Sequence, residues 1–208
     1  MIGKGQQAET LKPGSAVSLA MTGLACLRGG RLLFKGLSFA LAPGEALILT
    51  GPNGVGKSSL LRLIAGLLPA YEGEVHRTGR MALADEHMAL EPRLPLAQAL
   101  AYWAQIDGSS PADVAVALAA FDLAHLADVP VRMLSTGQRR RATLARILVS
   151  RAEIWLLDEP GNGLDSASMT LLEKAMAEHR ARGGIVLAAS HQPLALPDAQ
   201  SLCLEAAT

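Results

Sequence analysis

Eight consecutive residues, Gly51-Pro52-Asn53-Gly54-Val55-Gly56-Lys57-Ser58, have the types and spacing needed to hold a chain of phosphates. In the pattern GxxxxGK[ST] the glycines let the backbone curl until successive N–H groups point inward. The lysine neutralises the β- and γ-phosphates, and the final hydroxyl binds Mg²⁺. Ser59 continues the segment. Asp158 and Glu159 form a second group, two carboxylates ending the apolar run Ile154-Trp155-Leu156-Leu157. Asp158 is suited to hold magnesium through water. Glu159, facing differently, is suited to polarise an attacking water as general base, which phosphoryl transfer needs beside charge stabilisation. The third group, Leu134-Ser135-Thr136-Gly137-Gln138, opens a helix that Ser135 can cap, and such a helix start favours anions. The chemistry expected from these residues is binding and hydrolysis of Mg-ATP.

These side chains must be placed by regular elements. Ala46 to Thr50 is a short unbroken apolar run, as expected for a strand buried on both faces of a parallel sheet, and the glycine loop follows at once. From Lys57 onward, Leu60, Leu61, Ile64 and Leu68 fall on one helical face. The order is therefore strand, glycine loop, helix, the context the phosphate-binding mechanism requires. Leu32 to Leu41 reads as a preceding strand that turns at Pro43-Gly44. Ile154 to Leu157 and Ile185 to Ser190 are further buried strands. Ser166 to Arg182 is an amphipathic helix stopped by Gly183-Gly184. Between Met81 and Leu134, prolines separate alanine-rich helical stretches, Leu96 to Ala104 and Ala112 to Leu126, read as an inserted helical subdomain. Strands alternating with helices imply a parallel sheet.

Composition narrows the function classes. At 208 residues, with no Pro-, Ser- or charge-rich divide, one globular domain is expected. Half the residues are hydrophobic but only 3% are aromatic, so the core should be aliphatic and helix-rich. Nineteen basic and nineteen acidic residues cancel, which argues against nucleic acid as a partner. Cys26 and Cys203 stand in no CxxC pattern and read as reduced core cysteines. No apolar run approaches the ~18 residues that span a bilayer, and the start MIGKGQQAET lacks the apolar centre of a secretory signal. A cytoplasmic chain is expected. Met1 to Ser18 shows no periodicity and Met21 opens a more typical start, so residues 1–20 are taken as a disordered tail and 21–208 as the domain.

The succession of GPNGVGKS, LSTGQ and LLDEP resembles the ATP-binding-cassette (ABC) ATPases, over about residues 22–204. The resemblance implies an α/β fold of the P-loop NTPase class: a mixed sheet core, a small antiparallel β subdomain, and a helical subdomain at about 83–145. It implies a homodimer packed head to tail, in which Ser135, Gly137 and Gln138 close over the γ-phosphate held by Lys57 of a second copy. Gly163-Leu164-Asp165 matches the loop that links the two sites, so Asp165 joins the nucleotide-binding set. His191, after Ser190, matches the switch histidine that senses γ-phosphate and joins Glu159 and Lys57 as catalytic. Such ATPases sit on the cytoplasmic side of the inner membrane against integral membrane partner subunits. Within the family, the stretches LACLRGGRLLFKGLSF, GPNGVGKSSLLRLIAGLL and LARILVSRAEIWLLDEP are most similar to the ATPases of bacterial cytochrome c maturation. That branch implies haem export or release of a haem-loaded chaperone, with haem handled by the membrane partners and not bound by this chain.

Three stretches depart from the family pattern. Leu27-Arg28-Gly29-Gly30-Arg31 has no aromatic to stack adenine, leaving Arg28's planar guanidinium or an exposed turn arginine as alternatives. Asp85-Glu86-His87-Met88 lacks the usual magnesium-contacting glutamine, and His87 is the nearest match. Arg139 to Arg141 read as a solvated face. The first two leave open a different role, an ATP-gated clamp with weak hydrolysis; separately, the cargo of another small exporter or importer is a further alternative.

Overall fold

The strand that carries the phosphate loop is the best place to see how the molecule is layered. The computed structural model describes residues 17–206. β3 (Ala46–Thr50) lies in a five-stranded sheet with β5 (Met81–Ala84), β6 (Ile154–Asp158), β7 (Ile185–Ala189) and β8 (Gln200–Cys203), in the order β5-β6-β7-β3-β8. Every pairing in this sheet is parallel. Antiparallel pairing belongs to a second, three-stranded sheet in the order β2-β1-β4, formed by β1 (Ser18–Arg28), β2 (Arg31–Leu41) and β4 (Glu72–Thr78).

Side chains alternate across a strand, so each parallel strand feeds two cores. Leu47, Leu49, Ile154, Leu156, Ile185 and Leu187 face α1 (Lys57–Ile64) and the antiparallel sheet. Ala46, Trp155, Leu157, Val186 and Ala188 face the other way. That side is covered by α2 (Leu96–Asp107), α3 (Pro111–Ala120), α4 (Thr136–Val149) and α5 (Ser166–Ala181). Each fully buried leucine contributes about 1.5–3 kcal/mol of burial, and strands lined by such residues on both faces cannot shift without losing both cores.

Several boundaries differ from the sequence reading for identifiable reasons. α1 stops at Ile64, where Gly66 turns at φ 78° and Arg77 donates to the Ile64 carbonyl at 2.5 Å; Leu68 packs on the core from beyond the helix. Met81–Ala84 pairs with β6, so the helical unit begins after Ala84, while α4 carries it to Val149. α3 ends at Ala120, and Ala124–Leu126 is a separate 3-10 turn. β4 is too polar to show strand periodicity and turns only Val75 partly inward. β1 begins at Ser18 and buries both Leu19 and Met21, so residues 18–20 belong to the fold. The tail expected at residues 1–16 lies outside the described residues. Cys26 is buried, but Cys203 is exposed on β8.

Candidate active site

In open parallel sheets ligands bind beyond the carboxyl ends of the strands, and here three of those ends carry the expected residues. β3 releases its loop through Gly51, at φ 134°, where a Cβ would stand 2.4 Å from the Leu204 carbonyl oxygen. Only glycine passes that close. Gly56, at φ 118°, packs against Leu33 and Phe34 of β2 and begins α1 without any side-chain cap. The first-turn N–H groups of α1 therefore remain available to an anion at the positive end of the helix dipole. Lys57 is only 7% exposed, and its ammonium donates to the carbonyls of Gly51 at 2.7 Å and Pro52 at 3.2 Å. Pro52, Asn53 and Gly54 are exposed, whereas the Val55 and Ser59 side chains are buried, leaving those two their backbone groups to offer.

Asp158 ends β6 beside Ser58. Burial pushes its carboxyl pKa up, the Ser58 hydroxyl pulls it down, and the Glu159 charge pushes it up again, leaving it raised. Among the described residues no basic side chain forms an ion pair with it. Also among them, no cluster of three His, Cys, Asp or Glu residues could hold a metal ion. An oxygen-only pair of one carboxylate and one hydroxyl suits an ion that takes its remaining ligands from phosphates and water, as Mg²⁺ does.

Glu159 has φ 47°, left-handed for a residue with a side chain. Such conformations cost about 1–3 kcal/mol and persist only when the surroundings hold them. Its N–H donates to the Ala189 carbonyl at 2.8 Å, which ties it to the end of β7. Its Oε2 accepts from the His191 N–H at 3.3 Å and lies 2.8 Å from His191 Nδ1. The Ser190 hydroxyl donates to the Gln192 carbonyl and accepts from the Gln192 N–H, fixing the turn around His191. Glu159 and His191, which the sequence reading placed at separate tasks, are thus in direct contact.

The start of α4 lies opposite. Ser135 Oγ accepts from the Gln138 N–H at 3.2 Å, and Gln138 Oε1 accepts from the Ser135 N–H at 2.8 Å, a complete capping box. A cavity of about 470 Å³ separates this helix from the core, lined by Ser58, Arg62, Thr136, Arg140, Asp158 and Glu159. Thr136 is the residue of the LSTGQ segment that reaches it. Asp165 caps α5: its carboxylate accepts from the Ser168 N–H at 2.8 Å, and the hydrogen bonds from Ser168 hold its pKa below the ordinary value. The Gly163 carbonyl lies close to Gly137, so the loop before α5 touches the start of α4 in the same chain.

Two expectations are corrected. His87 does not line the cavity. Its side chain is 75% exposed, with its backbone N–H donating to Asp85 Oδ1 and its ring 3.5 Å from Oδ2; the flanking Met88, half-buried, and Glu86, itself exposed, line the cavity rim instead. Asp85 is the anchored residue of this loop. Burial pushes its pKa up, but hydrogen bonds from the His87 N–H and from Arg62, at 3.1 Å, outweigh it and leave it low. Arg139 to Arg141 are not simply solvated either. Arg139 donates to the Leu134 and Arg132 carbonyls, Arg141 to those of Phe121 and Asp122, and Arg140 to carbonyls of the core. A signal was present: cations near a helix start oppose the dipole, so three in succession there call for partners elsewhere. Arg28 is exposed at the β1–β2 hairpin tip, where Gly29 and Gly30 both have positive φ.

Comparison with known proteins agrees with this geometry. The ABC transporter family pattern matches residues 34–162. The chain is 55% identical over 188 residues to the cytochrome c biogenesis ATP-binding export protein CcmA of Zymomonas mobilis, covering 90% of this chain and 84% of that one. It is also 55% identical over 188 residues to the protein of the same name from Sphingopyxis alaskensis, covering 90% and 97%. Among solved structures, an ABC transporter ATP-binding protein from Pyrococcus furiosus superposes with a TM-score of 0.80 at 24% identity, over 90% of this chain and 97% of that one, which shows a common fold. The chain belongs to the ATP-hydrolysing subunits of the ABC transporter family, in the CcmA group.

Proposed function

We propose that this ATPase subunit works with Mg²⁺ as a head-to-tail homodimer under CcmB- and CcmC-like integral membrane subunits, on the cytoplasmic face of a bacterial inner membrane, and that its cycle drives haem export or the release of a haem-loaded chaperone in cytochrome c maturation. The names and extent of the relatives support the assignment to that system. Membership of the ABC transporter family supports coupling through membrane subunits; among the described residues no helix is long and apolar enough to cross a membrane. Neighbouring genes for haem-handling membrane proteins separate this cargo from that of another small exporter.

One observation carries the mechanism: Glu159 is held by His191 at the cavity that also contains Ser58 and Asp158. Lys57 exchanges the Gly51 and Pro52 carbonyls for the β- and γ-phosphates, while the loop amides and the open first turn of α1 cradle them. Ser58 and Asp158 would hold the ion, which when bound would neutralise charge on the phosphates. Glu159 takes a proton from water as the water oxygen bonds the γ-phosphorus. The bond from that phosphorus to the β–γ bridging oxygen breaks, and ADP leaves with the oxygen. His191 keeps the carboxylate aimed and presents its second ring nitrogen to the terminal phosphate. Ser135 and Gly137 of the second copy complete the enclosure.

Glu159→Gln tests the assignment in the full chain with its membrane partners. Nucleotide binding is expected to persist while turnover falls roughly 10²- to 10⁴-fold, the range for loss of a general base. Steady-state hydrolysis equal to wild type would remove Glu159 from the role.

A further inference from the structure

Arg140 lies just inside α4, about one turn beyond the Ser135 cap, yet none of its side-chain hydrogen bonds serve its own helix. One terminal nitrogen donates to the carbonyls of Asp158, at 2.7 Å, and Glu159; Nε donates to Pro160 at 3.3 Å; the other terminal nitrogen donates to Asp85 at 3.1 Å. Three of these acceptors are consecutive residues where β6 runs into its loop, and the fourth follows β5. All belong to the core, so the guanidinium bridges the cavity between the helical unit and the sheet. Burial pushes its pKa down while the charges of Asp158, Asp85 and Glu159 push it up; an arginine remains protonated under any such balance.

What Arg140 grips matters because of the conformation at Glu159. A left-handed residue with a side chain needs restraint from several directions. Ala189 holds its N–H and His191 holds its carboxylate. The peptide plane on its carboxyl side is held by Arg140, together with the planes before and after it. We propose that Arg140 is a positioning residue for hydrolysis: its fork on the Asp158, Glu159 and Pro160 carbonyls fixes the backbone from which the general base projects. The helix that carries the fork also carries Ser135, so closure of that helix on a second copy's nucleotide is tied mechanically to the base of its own chain. This rests on hydrolysis through Glu159 as proposed above.

The test compares Arg140→Lys and Arg140→Ala with wild type in the full chain with its membrane partners, measuring nucleotide Kd, kcat and melting temperature. Lysine keeps the charge but has no planar fork, so both variants are expected to lose roughly 10- to 100-fold in kcat, the scale of small misplacements of a catalytic group, with Kd within about twofold of wild type. Wild-type kcat in Arg140→Lys overturns the fork and assigns the residue a purely electrostatic part. Loss of nucleotide affinity by the same factor as kcat overturns it in favour of general structure. Should Arg140→Ala fail to fold, Arg140→Lys decides alone; failure of both to fold also overturns the positioning role. Absence of turnover in wild type removes the hydrolysis reading itself, an outcome distinct from an active wild type matched by Arg140→Lys.

Discussion

The two ends of the parallel sheet finish their polar groups in opposite ways. At the amino ends of β6 and β7, acceptors and donors are satisfied within the chain. The Glu153 carbonyl receives the Ile185 N–H at 2.8 Å and lies 3.1 Å from His179 Nε2; the Gly184 N–H donates to the His179 carbonyl at 3.0 Å; and Arg180 Nε donates to Gly44 at 2.9 Å. At the carboxyl ends, α1 starts without a side-chain cap and Asp158 sits partly buried with its pKa raised. Identical strand physics builds both ends. The difference is that one end closes its own hydrogen bonds and the other leaves them to a ligand. Within the carboxyl end the contrast repeats, since α4 caps itself with Ser135 and Gln138. In the head-to-tail dimer proposed above, its share of the site comes through the free capacity of the Ser135 hydroxyl, whereas α1 offers bare amides.

The strongest way to break this comparison is Lys57→Ala. Removing the buried cation proposed to meet the phosphates is expected to cost about 3 kcal/mol, or roughly a hundredfold in ATP affinity by equilibrium nucleotide binding. Affinity within about twofold of wild type would mean that the carboxyl end is not the phosphate site. A smaller effect separates the two helix starts. Ser135→Ala removes half a capping box and is expected to lower stability by about 1 kcal/mol in thermal unfolding. ATP affinity of the single chain should stay unchanged, while nucleotide-driven dimerisation, followed by sedimentation, weakens. A loss of single-chain affinity equal to that of Lys57→Ala would erase the distinction between α1 and α4.

How much was legible in the sequence follows the same divide. The phosphate loop, the Asp158-Glu159 pair and the Ser135 cap are local: each needs only neighbours in the chain to take shape, so spacing and residue type identify them. β3 and β6, buried on both faces, were legible for the same reason. The hidden features depend on residues far apart. Arg140 meets Asp85 across 55 positions and Glu159 across 19, and nothing local marks such bonds. Asp85 is tied to Arg62 across 23 positions, while the neighbouring His87, chosen by motif position, turns to solvent. β4 was invisible because an edge strand needs little apolar surface.

The closed end makes the smallest and most specific prediction. His179, in the last turn of α5, stacks on Trp155 with ring centroids 4.0 Å apart, and the Gly184 backbone presses against the same ring. Burial holds its pKa below the ordinary 6.5; hydrogen bonds to Glu153 and Ile185 pull upward and the Arg182 charge pulls down, but burial dominates. A folded-state pKa below the unfolded one means that, as pH falls through about 6.5, the unfolded chain takes up a proton that the folded chain resists. Stability contributed by the neutral imidazole is complete above that point and drains away below it. Thermal unfolding followed from about pH 7.5 down to about pH 5.5 should show a falling midpoint, and His179→Gln, which keeps a donor for the Glu153 carbonyl without a titrating ring, should flatten that slope at some cost in packing. Because His179 lies at the amino ends of the strands, ATP affinity should be the same in both proteins across this range. A His179→Gln change that altered nucleotide binding would show that the two ends are energetically connected through the strands, and would remove the separation between a closed end and an open one.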